Sequence, residues 1–219
     1  MSASKMFLFF ALSAFLCSFS AASEPAKGEK KPPAVQGVMF AGGATIAPWR
    51  FYIGNPNEWM RPVKTQQAKT RSPSNVKIEM LTEDSGLAVL KAQWQKGSTG
   101  QILWQGDSSI NAAAIAEHGG ALSLVLRVDE VPDKPVSLRM DCGYPCSGSL
   151  KFGDILSALP KGEWLRIGIP LACFENAGTD LRKIDSPAVI VTSGNLGLSI
   201  LDLRLALDVP KASMISCSA

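Results

Sequence analysis

Leu122-Ser123-Leu124-Val125-Leu126-Arg127-Val128 is the stretch whose reading decides the fold. Leu122, Leu124, Leu126 and Val128 recur at every second position, the period of a strand with one face buried, whereas a helix would space them by three and four. Pro132 to Pro135 then turns the chain into a second alternating run, Val136 to Met140. Next comes Cys142-Gly143-Tyr144-Pro145-Cys146, whose two cysteines can close a tight turn where thiols are oxidised. Beyond the turn, Trp164-Leu165-Arg166-Ile167-Gly168-Ile169 alternates again. Leu165, Ile167 and Ile169 take the inward phase and leave Trp164 and Arg166 on the other face.

The same period continues outward from this centre. Val76 to Thr82, Leu87 to Gln95 and Gln101 to Gln105 read as strands upstream, and order is expected to begin with Gly37 to Phe40 and Trp49 to Gly54. Downstream, Ala188 to Thr192 and Gly197 to Leu207 are the last two. In the final run the apolar phase slips from Leu198 and Ile200 to Leu201, Leu203 and Leu205, which is the signature of a β-bulge. Gly153 to Pro160 reads as one or two helical turns stopped by proline, and Asp107 to Glu117 as a short helix or a long loop. Arg61 to Asn75 reads as a loop or edge segment, and Phe174 to Ile184 as an irregular excursion. Some nine or ten short strands without long amphipathic helices predict an all-β fold, an antiparallel β-sandwich with jelly-roll-like connections and one short helix.

The chain has 219 residues, of which 46% are hydrophobic and 19% charged, enough for one domain with a real core. A formal net charge of +3, spread without a basic cluster, argues against nucleic acid as a partner. Residues 1–22 read as a signal peptide, with Lys5, an apolar run from Met6 to Phe19 and the small-residue tail Ser20-Ala21-Ala22. The run is too short and too interrupted by serine to span a membrane, so no membrane association is expected after cleavage. Residues 23–36 have the composition of a disordered linker, and 37–219 are assigned to the domain. Removing Cys17 with the leader leaves four cysteines, which allow three pairings. Proximity favours Cys142 with Cys146, which leaves Cys173 with Cys217, in a periplasmic or secreted protein.

Several segments carry a family likeness. Pro135-Val136-Ser137-Leu138-Arg139-Met140-Asp141-Cys142-Gly143, Cys146-Ser147-Gly148-Ser149-Leu150, Ile155 to Trp164, Ile169 to Phe174 and Ala177 to Leu181 are similar, in order and spacing, to one known module. The chain resembles the galactose-binding-like β-sandwich at the C-terminal end of bacterial family 3 exo-acting glucan hydrolases, the ExoP type. Ala47-Pro48-Trp49 looks like the start of the same domain. The resemblance implies a carbohydrate-associated accessory fold. It does not carry over the large enzymes' activity, because their catalytic domains run to several hundred residues and this chain offers no room for one.

The residues themselves point the same way. Asp129 with Glu130 and Glu83 with Asp84 are turn-borne carboxylates, not a glycosidase pair; His118, the one histidine, has no nucleophile elbow to serve. The chain is therefore expected not to be an enzyme. No metal site is expected either, because the cysteine spacing is not Cys-x-x-Cys and no ligand-rich loop is visible, and no cofactor is implied. Glycan recognition has better material, since aromatic faces stack on sugars and planar polar groups bond their hydroxyls. Arg127, Arg139, Arg166 and Arg204 share the outward phase with Trp164 and would form one face if their strands share a sheet. Such a face would favour acidic saccharides. Trp49, Trp59 and Tyr144, in turn-rich segments, are second-line candidates, while Trp94 is read as core. The competing expectation is a structural or interaction sandwich without sugar affinity, whose partner is another envelope protein.

Overall fold

Residues 37–217 are described by the computed structural model, so the expected leader and linker lie outside the described residues. Fourteen strands run in chain order: β1 Val38–Ala41, β2 Ala44–Thr45, β3 Trp49–Asn55, β4 Glu58–Pro62, β5 Gln67–Lys69, β6 Val76–Thr82 and β7 Ala88–Trp94. They continue as β8 Gly100–Gly106, β9 Ala121–Glu130, β10 Val136–Asp141, β11 Ser147–Lys151, β12 Leu165–Pro170, β13 Ser186–Thr192 and β14 Leu196–Ala206. The first sheet has eight strands in the order β12-β9-β14-β7-β6-β5, with β1 on β14 and β2 on β1. The second has six, in the order β11-β10-β13-β8-β3-β4. Every pairing between strands is antiparallel.

The alternating residues meet between the two sheets. Leu122, Leu124, Leu126 and Val128 of β9 join Leu198, Ile200, Leu203 and Leu205 of β14 in the buried cluster, facing Phe51 and Ile53, Ile102 and Trp104, Leu138 and Met140, and Ile190 of the second sheet. Burying a side chain of this size contributes about 1.5–3 kcal/mol. The phase slip in β14 is a bulge, because the register against β9 shifts between Ile200 and Asp202. The extra residue, Leu201, lets both halves of an eleven-residue strand keep their apolar side chains inward.

Three short α-helices lie among the described residues where one was expected: α1 Ala113–Glu117, α2 Phe152–Ala158 and α3 Leu171–Asn176. Five to seven residues span less than two turns, too few to show a helical period in sequence. Part of the segment read as irregular after Phe174 belongs to α3 and to the isolated bridge between Ile110 and Ile184. The turn-rich Asn55 to Glu58 closes the β3–β4 hairpin, and 61–75 carries the short edge strand β5.

Disulfides join Cys142 to Cys146 and Cys173 to Cys217. The second fastens the C-terminal tail beside β12: Met214 bridges Gly168, and the Ile215 N–H donates to the Gly168 carbonyl at 2.8 Å. Gly168 leaves room for this tail, since a Cβ there would lie 2.6 Å from Val209 Cγ1 and 2.8 Å from the Met214 sulfur. On loop-closure entropy, losing the 44-residue cross-link by Cys173→Ala with Cys217→Ala should cost about 4 kcal/mol, and losing the four-residue one about 2 kcal/mol. Urea denaturation of the two double variants checks the ranking, and equal losses would contradict it.

Candidate functional site

The alternation that fills the core also decides what the second sheet shows to solvent. Tyr52, Leu103, Val189 and Arg139 point outward, and the register places them in one row across β3, β8, β13 and β10. Leu103 and Val189 are buried yet stand outside the inter-sheet core cluster. Residues buried on the outer side of a sheet mean that something rises around them, and here it is a groove of about 570 Å³ floored by Leu103 and Val191. Trp59 and Met60 line it on edge strand β4, and Tyr144, Pro145 and Cys146 line it from the turn between β10 and β11. β4 and β10 are separated by three strands, so the groove crosses roughly 19 Å of sheet at the usual inter-strand spacing.

Each wall has its own support. A Cβ on Gly54 would lie 1.9 Å from the Trp59 carbonyl oxygen, so only glycine lets β4 fold this closely over β3. The Gln101 side-chain amide donates to the same carbonyl at 2.9 Å. Asn55, fully buried, donates to the carbonyls of Arg71 and Pro73 at 2.7 and 2.8 Å and accepts from the N–H groups of Asn57 and Glu58. The hairpin carrying Trp59 is thereby tied to the following loop. The opposite wall is the disulfide turn, closed by the Cys146 N–H donating to the Gly143 carbonyl at 2.8 Å, with Gly143 at φ +86°. Tyr144 stands fully exposed at its apex, and Trp59 is 45% exposed.

Polar groups line the edges of the groove. Arg139 grips Asp141 through Nε and Nη2 at 2.6 and 2.9 Å. Burial nonetheless pushes the Asp141 carboxyl above its ordinary value, with nearby Asp185 adding to the rise and Arg139 opposing it. Asp185 lines the groove too, and its Oδ1 is closed off from solvent without a hydrogen-bond partner among the described residues. Gln105 and Thr99 complete the polar rim.

The structure separates the arginines that the sequence grouped. Arg127, Arg166 and Arg204 lie on β9, β12 and β14 of the first sheet, while Arg139 lies on β10 of the second, so the four share no face. Arg127 is fully engaged: it donates to Glu83 at 2.7 and 3.1 Å, to Asp129 at 2.6 Å and to Ser199 at 3.1 Å, and stacks 4.8 Å from the Trp164 ring centre. Trp164 and Arg127 thus fasten the loop after β6 and the approach to β12 onto β9. Arg204 is held by both oxygens of Asp202. Arg166 is exposed and makes no side-chain hydrogen bond or ion pair among the described residues. Trp49 is core, not rim, because it begins an inward-facing phase with Phe51 and Ile53. Two groups of candidates result: Trp59, Tyr144 and Arg139 line the groove of the second sheet, while Arg127, Trp164, Arg166 and Arg204 lie on the first. Leu103, Val191, Gln101, Asp141 and Asp185 were missed, although the unbroken apolar runs Ile102-Leu103-Trp104 and Val189-Ile190-Val191 mark strands covered on both faces.

The two antiparallel sheets make a β-sandwich of the galactose-binding-like kind. The chain belongs to the Exop_C family, described as galactose-binding domain-like, whose model matches residues 47–205. The fold is similar to the extra C-terminal domain of an exo-1,3/1,4-β-glucanase from a Pseudoalteromonas species, with 15% identity, TM-score 0.68, and 84% of this chain and 99% of that domain covered. Against the whole exo-glucanase, at 16% identity and TM-score 0.65, 90% of this chain is covered but only 24% of the enzyme. A family 30 carbohydrate-binding module of a Clostridium thermocellum cellulosomal cellulase shares the fold at 13% identity and TM-score 0.54, over 79% of this chain and 98% of the module. No curated protein matches the chain.

Two outcomes follow from these contacts. Gly54→Ala should destabilise by about 1–3 kcal/mol through overpacking and change the near-ultraviolet circular dichroism as Trp59 is displaced; an unchanged spectrum and midpoint would contradict the seating of β4. Arg127→Ala should cost about 2–3 kcal/mol at neutral pH. The hydrogen bond from Arg127 holds the Glu83 carboxyl below its ordinary value, so that contribution is present above the usual glutamate range and is lost as pH falls through the depressed value. The gap between wild type and variant should therefore narrow in acid, and urea midpoints measured between about pH 7 and pH 3 check it.

Proposed function

We propose that this protein is a non-catalytic carbohydrate-binding module that takes a polysaccharide segment along the groove of the second sheet, outside the cytoplasm. The observation that carries the reading is the pairing of an exposed Trp59 and an exposed Tyr144 over an apolar floor, with Gln101, Gln105, Arg139 and Asp185 at the edges. Aromatic faces stack on the C–H faces of sugars, and amide, guanidinium and carboxylate groups bond the hydroxyls. The family assignment and the fold shared with a carbohydrate-binding module support it. Two disulfides suit an oxidising compartment. Hydrolysis is not proposed: Arg139 donates to both oxygens of Asp141, an arrangement that favours the carboxylate over the protonated acid a glycosidase needs.

Affinity electrophoresis through gels containing mixed-linkage β-glucan, laminarin or galactomannan tests the proposal. Retardation should appear on at least one of them. Trp59→Ala with Tyr144→Ala should weaken it by about tenfold or more, since each 1.4 kcal/mol of lost stacking is a factor of ten. Arg166→Ala should leave it within about twofold, because that side chain lies on the other sheet. Retardation that survives the aromatic double variant and disappears with Arg166→Ala would move the site to the first sheet.

A further inference from the structure

We infer that the groove is a charge filter: it admits uncharged polysaccharide segments and turns away uronate-bearing or sulfated ones, with Asp185 as the discriminating residue. This rests on the glycan-binding reading above and adds the charge of the ligand, reversing the preference for acidic saccharides expected from the arginines alone.

The charges on the lining decide it. Among the described residues the groove holds one guanidinium, Arg139, and two carboxylates, Asp141 and Asp185. Arg139 is the one cation that could receive an anionic sugar, and its Nε and Nη2 are already committed to Asp141. Breaking that pair would strand a carboxylate that burial already disfavours in its ionised form. Asp185 is in the opposite condition. Neither of its oxygens has a hydrogen-bond or ion-pair partner among the described residues, and the residue is half-buried in the wall. Its backbone is fixed, the N–H donating to the Asp141 carbonyl at 3.1 Å and the carbonyl accepting from the Gly106 N–H at 2.8 Å.

A poorly solvated acceptor with no donor gains most from a hydroxyl, which every neutral sugar supplies. A uronate or sulfate brings like charge and no proton to the same place, and like charges in a partly desolvated groove repel more strongly than in water. Gln101 and Gln105 are neutral and serve hydroxyls as donors or acceptors without changing the balance.

The test uses the full chain and a matched pair of probes: mixed-linkage β-glucan, and the same polymer after its primary hydroxyls have been oxidised to carboxylates, with laminarin and polygalacturonate as a second pair. At low ionic strength the wild type should bind the neutral member at least tenfold more tightly than the acidic one. Asp185→Asn should raise the acidic-to-neutral affinity ratio at least fivefold, a ratio that a general loss of structure would not move. Raising salt to about 1 M, where charges are screened within about 3 Å, should raise the same ratio in the wild type. Tighter binding to the acidic members, lost on Arg139→Ala, would overturn the filter and leave the glycan reading standing. Binding to none of the four would overturn the glycan reading and this inference with it.

Discussion

Strict two-residue alternation across two facing sheets is the constraint on which the rest of the molecule depends. Once Leu122, Leu124, Leu126 and Val128 face Phe51, Ile102, Trp104 and Leu138, every intervening residue is committed to an outer face. A one-residue slip would exchange the two sets, which is why the bulge at Leu201 matters: it corrects the phase in the middle of β14 so that Leu203 and Leu205 stay with the core. The two outer faces are therefore by-products of core packing, but they have been finished differently.

The first sheet ends in a closed electrostatic surface. Arg127 satisfies Glu83, Asp129 and Ser199 and carries Trp164 on its face, while Arg204 and Asp202 satisfy each other. These groups use their hydrogen-bonding capacity inside the protein. The second sheet keeps apolar surface outside its core and two aromatic rings in solvent, and gives the Asp185 side chain no partner among the described residues. The first sheet thus spends Arg127 and Arg204 on internal ion pairs and leaves Arg166 in solvent, while the second keeps its exposed aromatic rings around a groove.

The sandwich was legible in sequence because alternation survives wherever one side is buried: β6, β7, β9, β10 and β12 are all visible from their periods. So was the disulfide pairing, which short sequence distance and elimination supplied. Of the grouped arginines, Arg127, Arg166 and Arg204 do share a sheet, but Arg139 lies on the other, because period reveals which side of a strand a residue takes and not to which sheet the strand belongs. Strand β4, with Trp59, gave no signal at all, being an edge exposed on both faces and held by Gly54 and Asn55 from a distance. Asp185 was equally silent, since its surroundings include Asp141, 44 positions earlier in the chain.

The C-terminal tail has a consequence of a different kind. β12 is the last strand of its sheet, and its outward backbone groups would offer a template to any extended segment of another molecule. Met214 and Ile215 occupy that template, and the bond from Cys217 to Cys173 keeps them there. The Cys173–Cys217 cross-link therefore does more than tighten the fold: it holds the tail against the open side of an edge strand, where another extended segment could otherwise pair.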